Sequence, residues 1–192
     1  MSAAAEVVPA SLLRIDLGCG PNPQDGFDGA DSIKFNDKVK HVLHIGRDPW
    51  PCADNSVTEA YCSHTIEHLS NHNDKWERIH FFNELYRCLK PDAGCMLIFP
   101  HWCSERFYGD PTHKEPMSEW FHLYLMRDWR MANAPHTDKK HVAHGYDCNF
   151  QTVIMNAENP QLANRNAEYR QYATTWYKGA IWDLHCTVIK RA

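Results

Sequence analysis

Short apolar runs alternate along this chain of 192 residues with stretches in which apolar residues recur at helical spacing. Apolar residues repeat in this helical way across 73–89. The fully apolar run 95–99 predicts a buried central strand. Shorter runs predict four strands before it, at 12–16, 27–31, 41–45 and 57–63. Alternation of this kind predicts an α/β fold with a largely parallel sheet.

The second half of the chain opens with a different composition. The segment 100–146 is rich in Trp, Tyr, His and Pro, with one helix predicted from 118 to 133. Asn159 and Pro160 then predict the start of a polar helix reaching about residue 172, because Pro is favoured at the first helical position. Two further strands, 148–154 and 182–189, complete a sheet of seven. We predict a single domain over 1–192, with 100–146 as a lid or substrate-facing insertion.

Composition and charge narrow the class of protein. An apolar share of 43% with 23% charged residues is typical of a globular domain. The net charge of -4 provides no basic field for a nucleic-acid partner. No run approaches the roughly 18 apolar residues of a membrane span, and residues 1–10 lack the basic start of a signal peptide. We expect a cytoplasmic protein without a membrane partner, and its oligomeric state stays open.

The eight cysteines are scattered, and none forms a C-x-x-C pair. Structural zinc sites and redox dithiols usually need such close pairs. Several, such as Cys95, stand inside or beside apolar runs, where a thiol behaves as a small hydrophobic group. We expect reduced thiols in a reducing compartment.

A glycine-rich turn, 16–20 (DLGCG), follows the first predicted strand. Two glycines let the backbone turn sharply and approach a ligand closely, at the strand end where open α/β sheets bind ligands. A dinucleotide fingerprint would need a third glycine at Pro23, and a P-loop would need Gly-Lys-Ser/Thr. Neither is present, so the turn suits a ligand carrying an ammonium or sulfonium group better than a phosphate.

The segment 15–20 resembles the first motif of class I S-adenosylmethionine (SAM)-dependent methyltransferases. The resemblance continues in order through 49–57, 62–69 and 82–94, which match the family's loop after strand three, its strand four with a Glu-His turn, and its entry to strand five. It covers about half of the chain. It implies a Rossmann-like fold with flanking helices, SAM as cofactor, and methyl transfer to an acceptor that we expect to be a small molecule or saccharide-like.

The same resemblance implies which residues contact the cofactor. They are Asp16, Gly18, Cys19, Gly20, Asp31, Ser32, Gly46 and Ser63. Within this set, the glycine turn passes under the cofactor with Asp16 near its amino group. Asp31 accepts hydrogen bonds from the ribose hydroxyls, and Ser63 lies near the methionine part.

This sequence departs from the family pattern at two places. The family commonly carries an acidic residue after strand three that reads adenine, whereas the nearest equivalents here are Ile45 and Gly46. Backbone groups there, or Asp48, are the candidates to replace it. In addition, only residues 21–26 separate the first two strands, and a parallel crossover normally takes a dozen or more residues. We therefore expect a loop in place of the first helix.

Three histidines are candidate catalytic residues. His64 follows the fourth strand and His101 follows the fifth. His113 ends the segment 108–113 (YGDPTH), which resembles a stretch of small bacterial and phage relatives. A general base is needed only when the acceptor is a protonated oxygen or nitrogen. Asp110 in the same segment is equally well explained as a turn former before proline.

A competing motif lies directly after the fourth predicted strand. His64, Glu67 and His68 fit H-x-x-E-H, the inverted zinc-peptidase pattern, and a helix would place both histidines on one face. The motif directly follows a strand, however, and Ser70-Asn71 soon break any helix. We therefore assign no metal ligand and keep a zinc hydrolase as the less favoured alternative. A SAM-binding protein without transfer activity is the other alternative.

Overall fold

The computed structural model describes residues 13–72 and 74–191. The expected N-terminal tail and the predicted element starts at 12 and 73 lie outside these residues. Within them, seven strands form one sheet in the order β3-β2-β1-β4-β5-β7-β6. The strands are β1 Leu13–Leu17, β2 Asp28–Asp31, β3 Val39–Val42, β4 Val57–Ser63, β5 Leu89–Pro100, β6 Phe150–Glu158 and β7 Ile181–Lys190. β1 to β5 are parallel, and β7 is antiparallel to both of its neighbours. The predicted seven-stranded, mostly parallel sheet is confirmed.

Four α-helices and several 3-10 turns surround the sheet in the described residues. The helices are α1 Glu77–Cys88, α2 Glu105–Gly109, α3 Arg127–Asn133 and α4 Ala167–Trp176. The 3-10 turns are Ile66–His68, Glu119–Leu125, Pro135–Thr137 and Pro160–Leu162. The short helix α2 was not predicted, because five residues show too little periodicity.

Both helix predictions in the second half need correction. The predicted helix 118–133 is a 3-10 turn followed by α3, since Met126 between them is extended. The helix predicted from Pro160 is likewise only a 3-10 turn, capped by Asn159, whose side chain accepts a hydrogen bond from the Gln161 amide. The α-helix starts later, where the Asn166 side chain accepts from the Tyr169 amide. Two good N-cap residues thus split one predicted helix.

Three strands also differ clearly in extent from their predicted ranges, and one of them is β6, which was predicted at 148–154 and runs over Phe150–Glu158. β5 begins at Leu89, and its register against β4 jumps from Val57–Leu89 to Glu59–Gly94. The intervening residues bulge outward, and Asp92 there has a left-handed φ of 64°. Pro91 and Gly94 therefore belong to a bulged stretch inside one strand. β3 ends at Val42, so residues 43–45, which were predicted to belong to this strand, lie in the loop after it.

The centre of the sheet and α1 form the hydrophobic core. Phe82 and Leu85 of α1 are fully buried, as are Leu97 of β5 and Leu184 of β7. All eight cysteines lie within the described residues as free thiols, as predicted. Among the helices of the described residues, none combines the length and apolarity needed to cross a membrane.

A buried arginine organises the segment 100–146. Arg130 is completely buried, and its Nη2 donates to the Asp138 carboxylate at 2.8 Å and to the Cys148 carbonyl at 2.9 Å. Its Nη1 donates to the Tyr124 carbonyl at 2.7 Å. Burial alone would raise the pKa of Asp138, but hydrogen bonds from the Lys140 amide and Arg130 lower it below its usual value. The segment is therefore held together by a buried charge that is paired and hydrogen-bonded. Its role as a lid stays a prediction.

Two valines on neighbouring strands test where the core lies. Val188 of β7 is fully buried, whereas Val153 of edge strand β6 is 50% exposed. We expect Val188→Ala to lower the free energy of unfolding by about 2 kcal/mol, from lost burial and the cavity left behind. Val153→Ala, the matched control, should cost less than about 0.5 kcal/mol. Urea unfolding measures both, and equal losses would contradict the described core.

Candidate functional site

A cleft of about 400 Å³ opens at the carboxyl ends of the parallel strands. It lies where the strand order reverses between β1 and β4, which is the position at which open α/β sheets bind ligands. Gly18 and Gly20 after β1, together with Asp31 at the end of β2 and the adjacent Ser32, line one side. His64 after β4 lines the other. Five residues predicted to form the site therefore converge on one cleft.

The two glycines of the turn have different roles. Both are left-handed, with φ of 69° at Gly18 and 55° at Gly20. A Cβ on Gly18 would lie 2.2 Å from Thr65 Oγ1, because the Thr65 side chain packs directly over the glycine. A Cβ on Gly20 would meet no atom within 4 Å. Gly18 is thus required by the contact between the loops after β1 and β4, and Gly20 leaves open space for a ligand.

Asp31 both holds the glycine turn and faces the cleft. Its Oδ2 accepts a hydrogen bond from the Gly20 amide at 2.9 Å, and its Oδ1 accepts from the Ile33 amide at 3.0 Å. An ionised carboxylate offers about four acceptor positions. Asp31 therefore keeps capacity to accept hydrogen bonds from hydroxyl groups of a ligand.

Four residues predicted to contact a cofactor stand outside the lining of the cleft: Asp16, Cys19, Gly46 and Ser63. Asp16 is only 4% exposed and accepts a hydrogen bond from the Gln24 amide at 2.8 Å, and its burial raises its pKa. It therefore shapes the loop 21–26, which contains no helix, as predicted. Burial also raises the pKa of the Cys19 thiol to about 11, so the thiol stays protonated. Gly46 lies against α1, where a Cβ would sit 2.8 Å from that of Glu77.

Apolar residues line the cleft beside Asp31, whose backbone carbonyl accepts a hydrogen bond from the Leu43 amide at 3.0 Å. This apolar wall consists of Phe35, Leu43 and Ile45, of which sequence reasoning considered only Ile45. Asp48, the candidate acidic replacement, accepts a hydrogen bond from the His44 amide at 2.7 Å and so supports the loop after β3. The apolar run 41–45, predicted as a strand, is the sequence signal for Leu43 and Ile45, whereas Phe35 lies outside it. A flat aromatic ring would be held here by apolar contact.

His64 adopts a strained conformation at the end of β4. Its φ is 51°, which is uncommon for a residue with a side chain and characteristic of functional sites. Its Nε2 lies 3.5 Å from Arg106 Nη2 and 4.0 Å from Asp183 Oδ2. Arg106 and Asp183 form an ion pair with each other. His64 therefore stands between the cleft and a charged pair contributed by α2 and β7.

The other two candidate histidines do not reach the lining of the cleft. His101 is 2% exposed, with Nε2 at 3.1 Å from Glu119 and Nδ1 at 2.9 Å from Cys103 Sγ. His113 stands behind His68, with ring centroids 4.7 Å apart. The sequence could not show this, because the orientation of each ring depends on partners distant in the chain.

The inverted zinc-peptidase arrangement is not formed. Ile66–His68 is a single 3-10 turn, and His64 precedes it in the left-handed conformation. The two histidines of the motif therefore do not share one face of an α-helix. The zinc-hydrolase alternative finds no support in this geometry.

Searches with the sequence matched neither a known family nor a curated protein. Solved structures do match. A SAM-dependent methyltransferase from Archaeoglobus fulgidus is 18% identical with a TM-score of 0.59, over 94% of this chain and 87% of that one. A Listeria monocytogenes protein provisionally assigned to the same class is 11% identical with a TM-score of 0.55, over 96% and 94%. The [4+2]-cyclase SpnF is 13% identical with a TM-score of 0.52, over 94% and 76%.

These similarities establish the fold. The chain has the Rossmann-like fold of class I SAM-dependent methyltransferases, as the sequence resemblance predicted. A cyclase with a similar fold shows that the fold alone does not fix the reaction.

The Gly18–Thr65 contact predicts unequal effects of two glycine substitutions. We expect Gly18→Ala to lower the free energy of unfolding by about 3 kcal/mol, since a left-handed alanine costs about 1–2 kcal/mol and overpacking adds about 1–3 kcal/mol. Gly20→Ala, the matched control, should show only the backbone cost of about 1–2 kcal/mol. Denaturant unfolding of both variants measures the difference. Equal losses would exclude steric contact with Thr65.

Proposed function

We propose that this chain is a SAM-dependent methyltransferase that acts on a small-molecule acceptor. The observation that carries the proposal is the cleft at the switch point, where a glycine turn, an acidic residue and an apolar wall meet. A nucleoside needs this combination, because its ribose hydroxyls need groups that accept hydrogen bonds and its base needs an apolar surface. Asp31 would bind the ribose hydroxyls, and Leu43 and Ile45 would contact adenine in place of an acidic residue.

The methionine part would then lie over Gly20, with its sulfonium methyl group towards His64. Methyl transfer is an in-line displacement, so aligning donor and acceptor accounts for much of the catalysis. His64, Arg106 and Asp183 offer polar groups that can hold an acceptor beyond the methyl group. His64 would act as general base where the acceptor atom carries a proton.

The segment 100–146 would cover the acceptor. Two of its residues, Thr112 and Lys114, already line the cleft. The Lys114 amide donates to the Glu67 carbonyl at 2.9 Å, which docks the segment on the turn after β4. These contacts support the predicted substrate-facing insertion.

Binding of S-adenosylhomocysteine tests the cofactor site. We expect calorimetry to show one ligand per chain, with no comparable binding of ATP or NAD. Asp31→Ala should weaken binding about 10- to 100-fold, because hydrogen bonds to a charged group contribute about 1.5–3 kcal/mol. Asp37→Ala removes an exposed carboxylate of the neighbouring loop and is the matched control. Equal affinity in both variants would contradict the assignment of Asp31.

Methyl transfer itself is tested by incubating the protein with SAM and a panel of small phenols, amines, carboxylic acids and sugars. We expect a methylated product and an equal amount of S-adenosylhomocysteine, detected by mass spectrometry. For an acceptor whose reacting atom carries a proton, His64→Ala should reduce turnover about 100-fold or more while changing S-adenosylhomocysteine affinity less than about tenfold. Tight cofactor binding without any methylated product across the panel would contradict transferase activity.

A further inference from the structure

Glu67 is a buried carboxyl group without a hydrogen-bond partner in the described residues. The residue is completely buried at the turn after β4. Neither of its carboxylate oxygens has a hydrogen-bond partner among residues 13–72 and 74–191. An unpaired carboxylate in such surroundings is strongly unfavourable. The fold tolerates this cost next to a ligand-sized cleft, which points to a cation that is bound there.

Two histidines stand beside this carboxylate. One carboxylate oxygen of Glu67 and one ring nitrogen each of His68 and His113 lie within 4.8 Å of one another. The two histidines come from different parts of the chain, the turn after β4 and the end of the 108–113 segment. Atoms this close can surround a single ion, because zinc lies at about 2.0–2.2 Å from each of its nitrogen and oxygen ligands.

The hydrogen bonds around both histidines leave Nε2 of each ring free to bind a metal ion. His113 Nδ1 donates to the Phe107 carbonyl at 2.8 Å, so its Nε2 carries the lone pair. Thr112 Oγ1 donates to Asp110 Oδ1 at 2.6 Å and therefore accepts from His68 Nδ1 at 3.0 Å. The lone pair of His68 is consequently also on Nε2. Outer partners that fix the tautomer in this way are the usual support of metal-binding histidines.

We propose that Glu67, His68 and His113 bind a divalent metal ion of the zinc class. Two imidazoles and one carboxylate are a ligand set that zinc uses when a fourth position stays open. His68 also lines the cleft, so the proposed metal site borders the candidate ligand site. This assignment replaces the expectation of no metal ligand. It uses His113 in place of His64 and does not depend on the cofactor or on the zinc-hydrolase alternative.

Protonated histidines are the competing explanation for the unpaired carboxylate. His113 Nε2 is 3.8 Å and His64 Nδ1 is 3.5 Å from Glu67 Oε1. Asp110 Oδ2 also lies 3.8 Å from His113 Nε2. If imidazolium ions neutralised Glu67, the site would repel a metal ion.

The test is a titration of ZnCl2 into the tag-free full chain after treatment with EDTA, without SAM present. We expect one zinc per chain by calorimetry and elemental analysis, and a higher melting temperature with zinc. Glu67→Gln and His113→Ala should each weaken zinc binding by more than roughly 10- to 100-fold. That range is typical when a residue that only hydrogen-bonds a metal ligand is replaced. His44→Ala removes another histidine of the same cleft and should bind zinc as the wild type does.

A second readout separates loss of binding from loss of folding. Without metal, Glu67→Gln should melt at a higher temperature than the wild type, because it removes an unpaired buried charge. Zinc should no longer raise its melting temperature. No zinc binding by the wild type, or undiminished binding by Glu67→Gln, would overturn the proposal. A lower melting temperature of metal-free Glu67→Gln would instead support pairing of Glu67 with protonated histidines.

Discussion

The packing of Thr65 over Gly18 is the contact on which the site depends. Gly18 begins the turn after β1 and Thr65 caps the 3-10 turn after β4, so the contact spans the point where the strand order reverses. Because Gly18 has no side chain, the Thr65 hydroxyl reaches the carbonyls of both Gly18 and Ser63, at 3.3 and 3.1 Å. The two walls of the cleft are thereby fixed relative to each other. One of these walls carries Asp31 and the other carries His64.

Carboxylates around the cleft divide into those that support it and those that face it. Asp16 is buried and holds the loop between β1 and β2. Glu77, 1% exposed, accepts from the Ser70 amide and pairs with Arg47. Burial would raise the pKa of Glu77, but these partners lower it below its usual value, so it stays ionised at neutral pH. Asp31 retains free acceptor capacity towards the cleft, and Glu67 alone of these four has no hydrogen-bond partner in the described residues.

The sheet and the segment 100–146 contribute different halves of the site. The ends of β1 and β2 and the loop after β3 supply the glycine turn, Asp31 and the apolar wall, which suit a nucleoside. The segment supplies Arg106, Lys114 and His113 to the side proposed for the acceptor and the metal ion. Its buried Arg130 ties it together. In the proposed methyltransferase, variation in this segment would change the acceptor without disturbing the half proposed to bind the cofactor.

The sequence by itself determined the strand pattern and the site residues that follow directly from strand ends. β4 has its predicted bounds, and Gly18, Asp31 and His64 line the cleft, since turn glycines and strand termini are local properties of the chain. The tertiary structure alone decided which polar side chains face the ligand. Asp16 and His101 turn into the interior, and His113 meets Glu67 from another part of the chain. Burial and ring orientation depend on contacts between distant residues, which no local pattern encodes.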